Sequence, residues 1–171
     1  MSQGSIAEAI GAAREYLGAH PDQAFSADAP ATATVETGLR CRVVGPSGQE
    51  VVSDMPPAVG GEGSAPSPGW LLRASHAACD ATVIAMRAAE EGIELSRLEV
   101  TVASESDDRG LLGADEAAPA GPLRASVRIR IAAPGVDADR LHAIVAWARE
   151  HSPVDDAVRR SISVGVDVEV V

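Results

Sequence analysis

Apolar and polar positions alternate with two different periods along this chain, and the change of period marks its elements. Residues 5 to 19 repeat at helical spacing, with Ile6, Ile10, Ala13 and Leu17 on one face. Ser5 and Glu8 form a capping-box pattern at the start of that helix. A stripe of this kind packs on the domain or on a partner subunit. His20 to Pro30 reads as a loop. The period then falls to two. Ala31 to Glu36, Leu39 to Val44 and Glu50 to Ser53 are expected strands, and Pro46-Ser47-Gly48 is the turn between the last two. Met55 to Ser67 is a Pro- and Gly-rich loop.

The longest helical pattern runs from Ser67 to Gly92. Ser67 suits the N-cap, Pro68 the first turn, and Gly92 the stop. Leu71, Leu72, Ser75, Ala78, Cys79, Thr82, Val83 and Met86 recur at helical spacing, which predicts a central, buried stripe. Asp80 is the only ionised residue between Arg73 and Arg87. Small residues such as Ala74, Ala77 and Ala78 let another helix or chain approach closely. Strand alternation returns at Leu98–Val102 and again at Leu123–Ile131, separated by an acidic Gly- and Ala-rich loop. Arg124, Arg128 and Arg130 line one face of the second strand. They read as an anion site or as cross-strand partners of Glu99, Asp167 and Glu169, with pairing favoured. Asp137 caps a second helix to Glu150, with Leu141, Ile144, Val145 and Ala148 as its buried stripe. Ser152-Pro153 breaks it, and a short helical turn at residues 154–161 follows. Ile162, Val164, Val166, Val168 and Val170 alternate to the C-terminus as a sixth strand.

The elements do not alternate as βαβα. The reading is therefore α+β, with a mainly antiparallel six-stranded sheet, a long central helix and a second helix, in one domain over residues 1–171 with residues 1–30 as a helical extension. Six strands and two ordinary helices do not cover a low-charge helix on all sides, which points to an obligate dimer.

Composition narrows the function. The 171 residues carry a net charge of −11, which argues against a nucleic-acid phosphate backbone or an anionic membrane surface as partner. No lysine is present; all fourteen basic residues are arginine. Two cysteines are no disulfide scaffold, and they show no metal-ligand spacing. Gly60-Gly61-Glu62-Gly63 lacks the Gly-Lys-Ser/Thr of a phosphate loop. Neither a signal peptide nor a membrane span stands out, so the cytoplasm is the expected compartment, and no cofactor is expected.

The run G-G-E-G-S-A-P-S-P-G-W-L-L-R-A-S-H-A-A-C-D-A-T from Gly60, followed by G-I-E-L and L-E-V-T-V, resembles the OsmC/Ohr family of hydroperoxide-reducing proteins. The resemblance covers residues from about 31 to the end. It implies an intertwined homodimer with two sites at the interface, and a catalytic cycle in which a helix cysteine attacks the peroxide and a second cysteine resolves it. Cys79, eleven residues after Pro68, fills the peroxidatic position. The resolving position falls on Ser152, and the helix-start Glu is replaced by Gly69. Arg40 or Arg42 matches the thiolate-stabilising arginine; Cys41 matches neither cysteine. His76, three residues before Cys79, reads as a base, a cation or, in the favoured reading, the partner of a buried backbone carbonyl, and Trp70 as a pocket residue or, favoured, a core or interface one. Two functions stay open. One is a one-cysteine hydroperoxide reductase that uses an external thiol. The other is a dimer of this fold that binds a small apolar ligand or a partner.

Overall fold

The computed structural model describes residues 3–170. The expected domain limits, Met1 and Val171, lie outside them. Five α-helices and five strands are present among the described residues: α1 (Gln3–Ala19), β1 (Thr32–Thr37), β2 (Arg40–Val44), β3 (Glu50–Ser53), α2 (Pro68–Glu90), β4 (Arg97–Glu105), α3 (Asp108–Leu112), β5 (Arg124–Ala132), α4 (Ala138–Glu150) and α5 (Pro153–Arg159). The class is α+β, as expected. Contacts divide the chain into two compact units. One holds residues 3–7, 76–101 and 128–170; the other holds residues 8–75 and 102–127.

In the second of these units β1, β2 and β3 form an antiparallel meander in that order. Cys41 lies opposite Val35 on one side and Ser53 on the other. The Pro46-Ser47-Gly48 turn forms where the sequence places it: Gly45 N donates to Gln49 O, and Gly48 takes a left-handed φ of 82° that an L side chain resists. The loop after β3 is tied down by one buried carboxylate. Asp54 Oδ2 accepts from Ser64 N at 2.9 Å, Ser64 Oγ at 2.8 Å and Glu62 N at 3.2 Å, while Oδ1 accepts from Met55 N at 2.8 Å. Arg40 Nη1 donates to the same Ser64 hydroxyl at 2.8 Å.

The Ser64 N–H above all holds the Asp54 carboxyl below the usual carboxylate range. Burial opposes it, and the Ser64 hydroxyl and the Met55 and Glu62 amides add to the lowering. A lowered folded-state pKa contributes stability that is present above the unfolded value and is lost as pH falls through the folded one. The melting temperature should therefore drop on acidification below about pH 4. Asp54→Asn should lower it at neutral pH and flatten that acid limb. An acid limb with the same slope in both proteins, followed by circular dichroism, would contradict the role given to Asp54.

In the other unit the core is Ile84 and Ala88 of α2 with Ile144 and Ala148 of α4. Val83, Ile93, Leu95, Leu98, Val100, Ile129, Ile131, Val145 and Trp147 pack around them. Each fully buried isoleucine contributes roughly 1.5–3 kcal/mol. The α4 stripe is the expected one, and Asp137 caps the helix by accepting from Arg140 N at 2.8 Å. Strands β4 and β5 form a hairpin: Leu123 N donates to Glu105 O near one end and Ser96 N to Ala132 O near the other. Two arginines of the row, Arg130 and Arg124, pair across strands, whereas Asp167 and Glu169 lie outside any strand. Arg130 Nη1 meets Glu99 Oε1 at 2.7 Å, and Arg124 pairs with Glu105. Arg97 and Arg130 hold the Glu99 carboxyl below its usual range.

Four expectations need correction. Residues 161–170 form no strand; all are exposed, with Val164, Val166 and Val168 at 75%, 83% and 75%. The alternation is there, but a strand also needs a neighbour for its N–H and C=O groups, and none pairs with it among the described residues. The sheets are accordingly three- and two-stranded, not one of six. The expected loop between β4 and β5 contains α3, capped by Asp107, which accepts from Arg109 N. Helix α1 is described from Gln3, so Ser5 lies inside its first turn rather than at the cap, and residues 11–20 are exposed.

The fourth correction concerns α2. Its limits are as expected: Ser67 Oγ accepts from Trp70 N at 3.3 Å, and Gly92 closes the helix at φ 67°. Its buried face, however, is His76, Asp80, Ile84 and Ala88, each four residues from the last. Leu72, Ser75, Ala78, Thr82 and Met86, expected to be buried, are exposed.

Candidate functional site

Cys79 is half-buried on α2, one residue before the fully buried Asp80. The α4–α5 junction supplies the groups around it. Pro153 opens α5, and Ser152 caps it by accepting from Asp155 N at 3.4 Å. That cap is fully buried, and its hydroxyl donates to Cys79 Sγ at 3.3 Å. The chain turn forced by Ser152-Pro153 thus sets a hydroxyl against the sulfur from 73 residues away. Cys79 and Cys41 are both free thiols.

Asp155 is the hub next to this contact. It is 2% exposed. Its Oδ1 lies 3.1 Å from His76 Nε2, and its Oδ2 accepts from Arg159 Nε at 3.0 Å and lies 3.5 Å from Arg149 Nη2. Arg159 Nη2 also donates to Arg149 O at 3.0 Å, which ties α5 back to the end of α4. His76 is thus a buried partner of a carboxylate, and Asp80 Oδ2 lies 3.5 Å from the same Nε2.

Arg40 and Arg42 lie on β2 in the other unit. Arg42 Nε pairs with Glu36 Oε1 at 2.7 Å; Arg40 meets Glu36 Oε2 at 3.6 Å as well as Ser64. Trp70 is half exposed, and with Ser67, Arg73, Pro56 and Asp54 it lines an open cavity at the start of α2. Arg73 Nη1 donates to Ser104 Oγ at 3.1 Å.

A family model described as OsmC-like protein matches residues 61–167, well over half the chain. The chain belongs to the OsmC-like protein family. Its fold agrees. An organic hydroperoxide resistance protein OsmC from Legionella pneumophila is 26% identical, with 79% of this chain and 91% of that one covered and a TM-score of 0.58. An OsmC-like protein from Mycoplasma pneumoniae is 13% identical over 80% and 91%, with a TM-score of 0.66. The organic hydroperoxide resistance protein OhrB of Bacillus subtilis is 21% identical over 79% and 93%, with a TM-score of 0.52. No curated protein matches the chain.

Within this OsmC-like chain, the residues that sequence reasoning missed are Asp80 and Asp155. The spacing of His76 and Asp80, four apart on one helix, was readable. Asp155 was not, because 79 residues separate it from His76.

Proposed function

We propose that this OsmC-like protein reduces organic hydroperoxides with Cys79 as its single peroxidatic nucleophile and an external thiol as reductant. The observation that carries the reading is the Ser152 hydroxyl 3.3 Å from Cys79 Sγ. A polar hydrogen donor, rather than an aliphatic wall, faces the sulfur at the position where the resemblance places a resolving thiol. The relatives named for hydroperoxide resistance support the peroxide substrate class. In the cycle, the Cys79 thiolate attacks one peroxide oxygen and the O–O bond breaks. The alcohol leaves with a proton, and Cys79 becomes a sulfenic acid. A first external thiol condenses with it, releasing water and forming a mixed disulfide. A second thiol attacks that disulfide and restores Cys79. The sum is ROOH plus two thiols giving ROH, water and a disulfide. The choice of Arg40 or Arg42 as the thiolate's cation rests on the family resemblance alone.

The reading includes a homodimer of single OsmC-like domains in a reducing cytoplasm. Among the described residues no helix is long and apolar enough to cross a membrane. The exposed Leu72 and Met86 on α2 and the exposed C-terminal valines support the dimer. Sedimentation at micromolar concentration should give twice 17.5 kDa; a monomer alone would contradict it. The activity is tested by mixing the protein with tert-butyl hydroperoxide and a dithiol. Catalytic loss of peroxide is expected. Its absence, with Cys79 left reduced, leaves the ligand-binding dimer as the function.

A further inference from the structure

Asp80 is 0% exposed, and neither of its carboxylate oxygens receives a hydrogen bond. A buried carboxylate in that state is strongly disfavoured unless something compensates it. Its surroundings are specific. His76 Nε2 lies 3.5 Å from Asp80 Oδ2 and 3.1 Å from Asp155 Oδ1, and one ligand atom from each of the three residues lies within 4.8 Å of the others. All three side chains are buried. We propose that His76, Asp80 and Asp155 form a binding site for a divalent first-row transition ion.

Three features point the same way. The first is spacing. A cation bound at about 2.0–2.2 Å by nitrogen and oxygen ligands holds them ~3.4 Å apart in tetrahedral geometry. The two carboxylate oxygens stand 3.1 and 3.5 Å from His76 Nε2, which bracket that separation, and all three ligand atoms lie within 4.8 Å of one another, so the carboxylates would draw in on a bound ion. The second is presentation. His76 and Asp80 stand four residues apart on α2, the helical spacing at which two side chains chelate one ion, and α5 adds the third ligand. The third is support. Arg159 and Arg149 occupy Asp155 Oδ2, which fixes that carboxylate and leaves Oδ1 facing the histidine. These arginines balance the charge of Asp155, so the charge left without a donor is that of Asp80. One imidazole nitrogen and two carboxylate oxygens suit zinc or manganese better than calcium, which takes six or more oxygens. Neither Cys79 nor Ser152 is a ligand, so metal uptake can be read without the peroxide reaction.

The test is titration of tag-free, chelator-stripped protein with Zn²⁺ and with Mn²⁺, followed by calorimetry and by metal analysis after gel filtration. One equivalent per chain of at least one ion is expected. Asp80→Asn should weaken its binding tenfold or more while the far- and near-ultraviolet dichroism stays native. His76→Gln is the second variant should Asp80→Asn fail to fold. Wild-type protein that retains neither ion overturns the site and leaves a buried His76–carboxylate lattice. Uptake that the folded variants keep within a factor of two overturns it as well.

Discussion

Ser152→Cys should convert the protein from a one-thiol to a two-thiol reductant. The Ser152 side-chain oxygen lies 3.3 Å from Cys79 Sγ and is fully buried, so an introduced sulfur starts beside its target with little freedom to miss it. After hydroperoxide oxidises Cys79, the new thiol should attack the sulfenic acid and expel water. One equivalent of peroxide should then consume two thiols per chain, where the wild type loses one. The variant should also resist conversion to sulfinic acid at excess peroxide, since the disulfide outcompetes a second oxidation. Thiol counting and intact mass under non-reducing conditions report both effects. The Asp155 N–H that Ser152 accepts is a poorer partner for sulfur, so the variant should lose about 1 kcal/mol of stability. If the variant folds and still loses a single thiol, the two side chains do not meet in solution as they do here.

Cys79→Ser carries the largest expected loss. A serine hydroxyl is nearly isosteric with the thiol, yet it is no nucleophile toward a peroxide O–O bond at neutral pH. Turnover of tert-butyl hydroperoxide should fall by on the order of 10³ or more, to the background of the dithiol alone. Cys41→Ser should leave turnover within about a factor of two, because Cys41 has no step in the cycle. A variant pair with the opposite pattern would move the chemistry to β2.

Much of this was written in the chain. The capping Ser67, the stop at Gly92, the Pro46-Ser47-Gly48 turn and the α4 stripe follow from local rules that the structure obeys. The peroxidatic reading of Cys79, by its distance from Pro68, comes instead from the family resemblance. The buried face of α2 was misread because apolar residues are normally the ones inside. Here His76 and Asp80 face inward, and His76 meets an Asp155 that no local pattern connects to it. The apolar Leu72 and Met86 are left outside. The C-terminal valines failed for a related reason: alternation reports which face is apolar, not which strand lies alongside. The Ser152–Cys79 contact was half legible. The family resemblance named the pair, and only the packed α4–α5 junction shows the hydroxyl donating to the sulfur.

The central claim is that Cys79 reacts with peroxide and, lacking a resolving thiol, stops at the sulfenic acid. Trapping with a sulfenate-specific dione followed by peptide mass spectrometry tests it most directly. One equivalent of organic hydroperoxide should give the trapped adduct on Cys79 and none on Cys41. Excess peroxide should carry Cys79 on to the sulfinic acid. A Cys41–Cys79 disulfide in place of the adduct would contradict the one-cysteine cycle. A reduced, untrapped Cys79 at millimolar peroxide would contradict the peroxidatic role itself.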